Sequence, residues 1–359
     1  MKFNFKFIIL KKLYIHFFYL ALLNFFFSTA NVYAKGFTIT NIEISTPFEI
    51  NFNKNEIIDE GFIKAYNQLI LSIVQTKDQK KLNKTSLSLI KGMIETFSIK
   101  EEKFINEIYY LSLNVSFNKK KVFNLLEKQN IFPSLPIKKD ILFIPIIFEE
   151  NKNEILMFSE SYIFSNWNTD AKDYNLLNFI LPTEDLDDFN IIKNNSRNLE
   201  NYDFNQIIQK YNLEDYIVMI VFKNDKEIRV LSKINFNEKM DIKNLKFQNF
   251  TLKNEEQLKK LMGNLKNIYE NYWKSKNEIN TSIKLALTIS IDNNDNLKIS
   301  QFEKILNNID LIYDFYISKF DNKNNIYKLI FNGTPDHFIS IMNKKNYTID
   351  TQNQIWILK

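Results

Sequence analysis

Carboxylates are the side chains of this sequence best placed to do chemistry. Glu184, Asp185, Asp187 and Asp188 crowd into one short stretch after Pro182. They follow a run at 176–181 that reads as a buried strand, and α/β sheets hold ligands beyond the ends of such strands. Paired acids can bind a divalent cation or run acid–base chemistry on a glycosidic bond. The plainer use of the same residues is a solvated turn whose acids cap the next helix. Asp185, Asp187 and Asp188 are therefore the candidate binding residues. No residue is assigned a catalytic, cofactor-binding or metal-binding role, and no cofactor is expected.

Other chemistries find few residues to carry them. There is no cysteine and there are two histidines, His16 and His337. Zinc held by imidazole or thiolate, and Ser–His or Cys–His nucleophile pairs, lack their parts once His16 is removed with the leader described below. The five glycines are scattered, so no phosphate-cradling loop is expected. The stretch from Asp292 to Glu303 places oxygens at positions 1, 3, 5 and 12 of a calcium loop. It has Leu297 where such a loop turns on glycine, and a strand precedes it where a helix belongs. It reads as a coincidence of an Asn-rich chain.

The elements that must position these residues begin after residue 34. Residues 1–34 contain Lys2, Lys6, Lys11 and Lys12 and no acid. An apolar run at 13–27 follows, and Val32, Tyr33 and Ala34 close it with a small residue. That order is the grammar of a secretory signal, and the run is short for a bilayer span of about twenty residues. The expectation is a periplasmic protein, with an uncleaved inner-membrane anchor as the alternative. No stable membrane span is expected once the leader is cleaved. The leader also holds four of the five net positive charges. The remainder is nearly neutral, without the basic surplus of a nucleic-acid binder.

Beyond the leader, apolar periodicity predicts a mixture of strands and helices. Residues 37–44 alternate as a strand, and Ile58, Phe62, Ala65, Tyr66, Leu69 and Ile73 share a helix face. A short helix is expected at 85–97, a strand at 107–117 paired with 99–105, and a helix capped by Asn118. Residues 140–148 form an apolar run suited to a strand covered on both faces. A helix at 160–167, a strand at 176–181, a helix at 203–211 and strands at 215–222 and 227–236 complete a partly parallel sheet. Asn254 opens a long helix with a stripe through Leu258, Leu261, Leu265 and Tyr269. The last segment reads β-α-β-β-α-β: strand 281–292, helix 300–309, strands 311–319 and 326–332, a helix from Thr334-Pro335, and a return at 347–358.

The fold class is α+β or α/β, built as three small α/β domains. The expected division is a signal peptide at 1–34, an N-terminal α/β domain at 35–136 and a middle α/β domain at 137–252. A connecting helix at 253–279 and a C-terminal ferredoxin-like domain at 280–359 follow.

Several stretches resemble a family of exported bacterial proteins known only as domain of unknown function number two thousand and sixty-six. They include residues 65–74, 110–117, 141–144 with Trp167, and 211–218. The turn at 179–188 is the most specific, with Pro182, Asp185 and Asp188 in a Leu-Pro-x-x-Asp-x-x-Asp pattern. The resemblance implies an envelope location and carries no assigned activity. The middle domain's element order is also similar to periplasmic envelope-assembly domains. The functional expectation is a non-enzymatic envelope binding or assembly factor, with an envelope protein or peptidoglycan as partner. The alternatives are a carboxylate-dependent hydrolase of cell-wall glycan using Asp185 and Asp188, and a passive structural envelope protein.

Overall fold

The computed structural model describes residues 37–359 apart from 225–226, 249–253 and 321–322. The leader at 1–34 lies outside the described residues. Helices and strands are mixed throughout and build several small sheets, an α+β fold.

The first sheet combines β1 (Thr38–Pro47), β2 (Ile94–Ile105) and β3 (Ile108–Phe117) in the antiparallel order β1-β3-β2. Helices α1 (Lys54–Ile73), α2 (Thr76–Gln79) and α3 (Leu87–Met93) connect β1 to β2, and α4 (Lys119–Lys128) follows β3. Alternation in β3 buries Tyr109, Leu111, Leu113, Val115 and Phe117. They meet the stripe of α1 formed by Phe62, Ala65, Tyr66, Leu69 and Ile73, as the 3.6-residue period dictates. Gly61 sets the approach: a Cβ there would stand 2.5 Å from Leu113 Cδ1 and 2.9 Å from Ile44 Cδ1. Asn106 and Glu107, both at positive φ, turn β2 into β3. The short helix expected at 85–97 ends at Met93, because the residues from Ile94 onward join the ladder with β3 instead.

The middle sheet holds β4 (Lys139–Glu149), β5 (Glu154–Leu156), β6 (Leu177–Ile180), β7 (Tyr216–Lys223), β8 (Glu227–Phe236) and β9 (Lys239–Gln248). Its order is β5-β4-β7-β8-β9, with β6 beside the first half of β4. β4 runs parallel to β6 and β7, and the other pairs are antiparallel. Both faces of β4 are buried, as its unbroken apolar run requires. Ile141, Phe143 and Ile147 face a core closed by α5 (Tyr162–Asn166), Trp167 and the long helix α8 (Glu255–Lys276). Leu142, Ile144 and Ile146 face the other way, under α6 (Leu186–Asn194) and α7 (Asn205–Ile208).

The last sheet follows the order β11-β12-β10-β14-β13. It contains β10 (Leu285–Asp292), α9 (Asn296–Asn308), β11 (Ile312–Phe320), β12 (Asn324–Phe331), α10 (Pro335–Lys344), β13 (Ile349–Asp350) and β14 (Trp356–Leu358). The β-α-β-β-α pattern is present, with β12 antiparallel to β10 and β11. The return after α10 is a hairpin: β13 runs to the edge and β14 doubles back between it and β10. β14 therefore pairs parallel with β10 through Ile289 and Trp356. Asp350 holds the reversal by accepting the Gln352 N–H at 3.1 Å.

The buried apolar residues of the first and last segments form one continuous cluster. Helix α4 is a contact between them. Lys120 pairs with Asp314 at 2.5 Å, the Tyr313 hydroxyl donates to Asn124 at 2.6 Å, and Lys119 Nζ donates to the Ile309 carbonyl at 3.0 Å.

Candidate functional site

The acidic turn sits between β6 and α6, and its carboxylates are bound to one another's surroundings. Asp185 is the N-cap of α6, its Oδ1 accepting the Asp187 N–H at 2.8 Å and the Asp188 N–H at 3.3 Å. These donors are among the unsatisfied amides that open any helix, so a carboxylate fits by both hydrogen bonding and dipole. Lys210, from the turn after α7, reaches across and donates to Asp185 Oδ2 at 2.8 Å and Asp188 Oδ1 at 2.6 Å. Lys210 thereby holds the Asp185 carboxyl below its usual range, and the two carboxylates push the Lys210 ammonium up.

Asp188 is 1% exposed, and its buried Oδ2 has no hydrogen-bond partner among the described residues. Asp187 is exposed in the first turn of the helix. Glu184 turns away and accepts the Ser159 N–H at 3.1 Å. The Thr183 N–H donates to the Tyr211 hydroxyl at 3.0 Å. The sequence brings Asp185 and Asp188 together as a pair, and a single lysine grips both. Among the described residues, no group of three or more His, Cys, Asp or Glu side chains is arranged to hold a metal ion.

The other candidates serve the fold. Asp292 accepts the Asn294 N–H at 2.9 Å, Asp295 caps α9 through the Lys298 N–H at 2.9 Å, and Glu303 accepts from the Tyr327 hydroxyl at 2.6 Å. Helix α9 thus starts inside the stretch that a calcium loop would need open. His337 lies in the first turn of α10, its backbone N–H capped by Thr334 and its ring edge-on to Phe331.

A second cluster of charged groups stands where α8, packed on the middle sheet, meets the C-terminal end of α1. Glu270 and Lys274, one helical turn apart, are 9% and 4% exposed. Glu270 accepts the Leu176 N–H at 3.0 Å and the Leu177 N–H at 2.9 Å, fixing the start of β6. Lys274 donates to the carbonyls of Leu71 and, at 3.2 Å, Val74, which close the C-terminal end of α1. A cation there satisfies open carbonyls and the negative end of the helix dipole. Burial pushes the Glu270 carboxyl up and the Lys274 ammonium down to about 8.

The segment carrying Pro133 and Pro136 threads the same junction. Ser134 N–H donates to Ile73 O at 2.7 Å, Ile279 N–H to Pro133 O at 2.7 Å, and Trp273 Nε1–H to Ile137 O at 2.7 Å. Sequence reasoning missed this junction because Glu270 and Lys274 lie beside the apolar stripe of α8, where a helix with one covered face would expose them.

Surface hollows lie elsewhere among the described residues. One of about 580 Å³ lies open along α10, lined by Asp336, Ile339, Ser340, Asn343 and Lys344. One of about 210 Å³ lies between the end of α4 and the strand-free lead into β10, beside Glu127, Asn130, Phe132, Thr281 and Ser282. No helix among the described residues is long and apolar enough to cross a membrane. No protein-family model matches the chain, and no curated protein matches it.

Proposed function

We propose that this chain is an exported envelope protein that works by docking, as a binding or assembly factor without catalysis of its own. The observation that carries this reading is the commitment of the acidic turn to the fold. Asp185 caps α6, and Lys210 neutralises Asp185 and Asp188 together at 2.8 and 2.6 Å. General acid–base work needs a carboxylate free to exchange protons with substrate near the working pH. An acid held low by an ammonium and two backbone amides is poorly suited to that, and well suited to fixing a helix. The junction at α8 supports the same reading, since Glu270, Trp273 and Lys274 tie first-sheet and middle-sheet segments to one rigid helix. A framework of this kind presents surfaces in fixed relation. The leader at 1–34 and the resemblance to an exported family supply the proposed periplasmic address, and peptidoglycan or an envelope protein is the proposed partner.

The address is tested by fractionating cells and reading the protein's first residue. Recovery from the periplasm with Lys35 first supports cleavage after Ala34. An intact leader in the membrane fraction favours the anchored form, and an intact leader in the cytosol overturns export.

The hydrolase reading keeps one observation in its favour, the buried Asp188 Oδ2 with no partner. It requires turnover of purified sacculi that Asp185→Asn with Asp188→Asn abolishes in a folded protein. Absence of turnover in the wild type counts against it.

A further inference from the structure

Among the described residues, every edge strand except one is short or breaks register. β1, β2 and β11 each break register, between Ile39 and Ile42, at two places in β2, and at two places in β11. β5, β6 and β13 are three, four and two residues long. Irregularity and shortness are the devices that stop an edge from recruiting another strand. β9 has neither. Its ten residues pair with β8 without interruption, from Phe236 opposite Lys239 to Glu227 opposite Gln248.

The outward face of that edge follows from the turn. Asn237 and Glu238 have φ of 51° and 62°, a two-residue hairpin turn. Phe236 and Lys239 are then a hydrogen-bonded pair, and bonded and non-bonded pairs alternate from there. Met240, Ile242, Asn244 and Lys246 therefore aim their N–H and C=O groups away from β8. The Ile242 N–H bears this out, since it donates to the Asp241 carboxylate at 2.9 Å. Met240 and Ile242 are 52% and 57% exposed on the same strand.

We propose that β9 is a self-association edge, at which two copies of this chain pair antiparallel about Ile242 and join their six-stranded sheets. Outward residues must face outward residues, which allows a centre at any residue of β9, but centring on Asp241 or on Lys243 sets that charge against itself. Centring on Ile242 sets Asp241 against Lys243 twice, Glu238 against Lys246 twice, Met240 against Asn244, and Ile242 against itself. Centring on Asn244 sets Asp241 against Phe247 and Lys243 against Leu245. Centring on Met240 leaves only Lys239, Met240 and Asp241 of each strand paired. The Ile242 register alone gives a long ladder with complementary charge, and opposite charges facing across strands stabilise pairing. On association the Ile242 N–H exchanges the Asp241 carboxylate for the other copy's Ile242 carbonyl. Asp241, which pairs with Lys243 of its own strand at 3.3 Å, then also meets the other copy's Lys243.

Sedimentation velocity on the purified full-length exported protein tests this. The wild type is expected to show a concentration-dependent dimer. Ile242→Pro removes a donor that β8 does not use, so the fold persists while the dimer is lost. Asp241→Lys and Lys243→Asp each set like charges face to face twice and are expected to raise the dimer dissociation constant at least about tenfold. The double exchange, Asp241→Lys with Lys243→Asp, restores association, while circular dichroism confirms the fold of each variant. A wild type that stays monomeric up to its solubility limit overturns the proposal. So does a dimer that survives Ile242→Pro, or a double exchange that fails to recover.

Discussion

Replacing Lys210 with Met isolates what the acidic turn does. Among the described residues, Lys210 supplies the sole hydrogen bond to the Asp188 carboxylate, at 2.6 Å, and Asp188 Oδ2 has no partner. The substitution leaves a carboxylate that is 1% exposed with neither oxygen paired. Breaking a fully buried ion pair costs about 3–5 kcal/mol. The lysine side chain is 39% exposed, so solvent screens part of the interaction. The expected loss is about 2–3 kcal/mol.

Urea denaturation followed by tryptophan fluorescence reads it directly, because Trp167 and Trp273 both stand in the middle core. One control sharpens the result. Adding Asp188→Asn to Lys210→Met removes the stranded charge and is expected to recover at least half the loss. A Lys210→Met protein within about 0.5 kcal/mol of wild type, an ordinary surface effect, would refute the assignment of a structural clamp.

Other consequences follow from the same packing. The Lys274 ammonium is pushed down to about 8 in the folded protein, against an ordinary 10.5. Between those values the unfolded chain binds the extra proton, so this group's contribution to stability rises with pH, by up to about 3 kcal/mol at about 1.4 kcal/mol per unit. The wild-type stability measured against Lys274→Met should therefore climb from pH 7 to pH 10; a flat difference contradicts the burial argument. Gly61→Ala gains about 1 kcal/mol in helix propensity, yet forces Leu113 and Ile44 aside. A net loss of about 1 kcal/mol is expected in thermal melts, and a stabilised variant would show that the two side chains yield freely.

Much of the fold was legible where one face of an element is covered and the other is not, or where both are covered. The alternation through Leu287, Ile289 and Ile291 announced β10, and the apolar run from Ile141 announced β4. Asn118, Asn254 and Thr334 marked helix starts that the structure confirms as caps. β9 was hidden because Met240 and Ile242 point to one face and Leu245 and Phe247 to the other, so the period-two signal cancels. The acids of the turn pointed to a helix to be capped next without giving its bounds; that helix is α6, capped by Asp185. Asp185 and Asp188 were visible as a pair, but Lys210 was not. Its contact spans 22 residues and leaves no local pattern. The α8 junction was illegible for a related reason: charges beside an apolar stripe become buried only when a second unit covers the helix.

The account's central claim, that the exported protein acts by docking, is tested most directly by crosslinking it in intact cells and identifying the adducts by mass spectrometry. The expected result is a reproducible adduct with one envelope protein or with peptidoglycan, present with wild-type chain and retained with the Asp185→Asn, Asp188→Asn protein if that protein remains folded. Adducts confined to cytosolic proteins, or none with any envelope component, would contradict it.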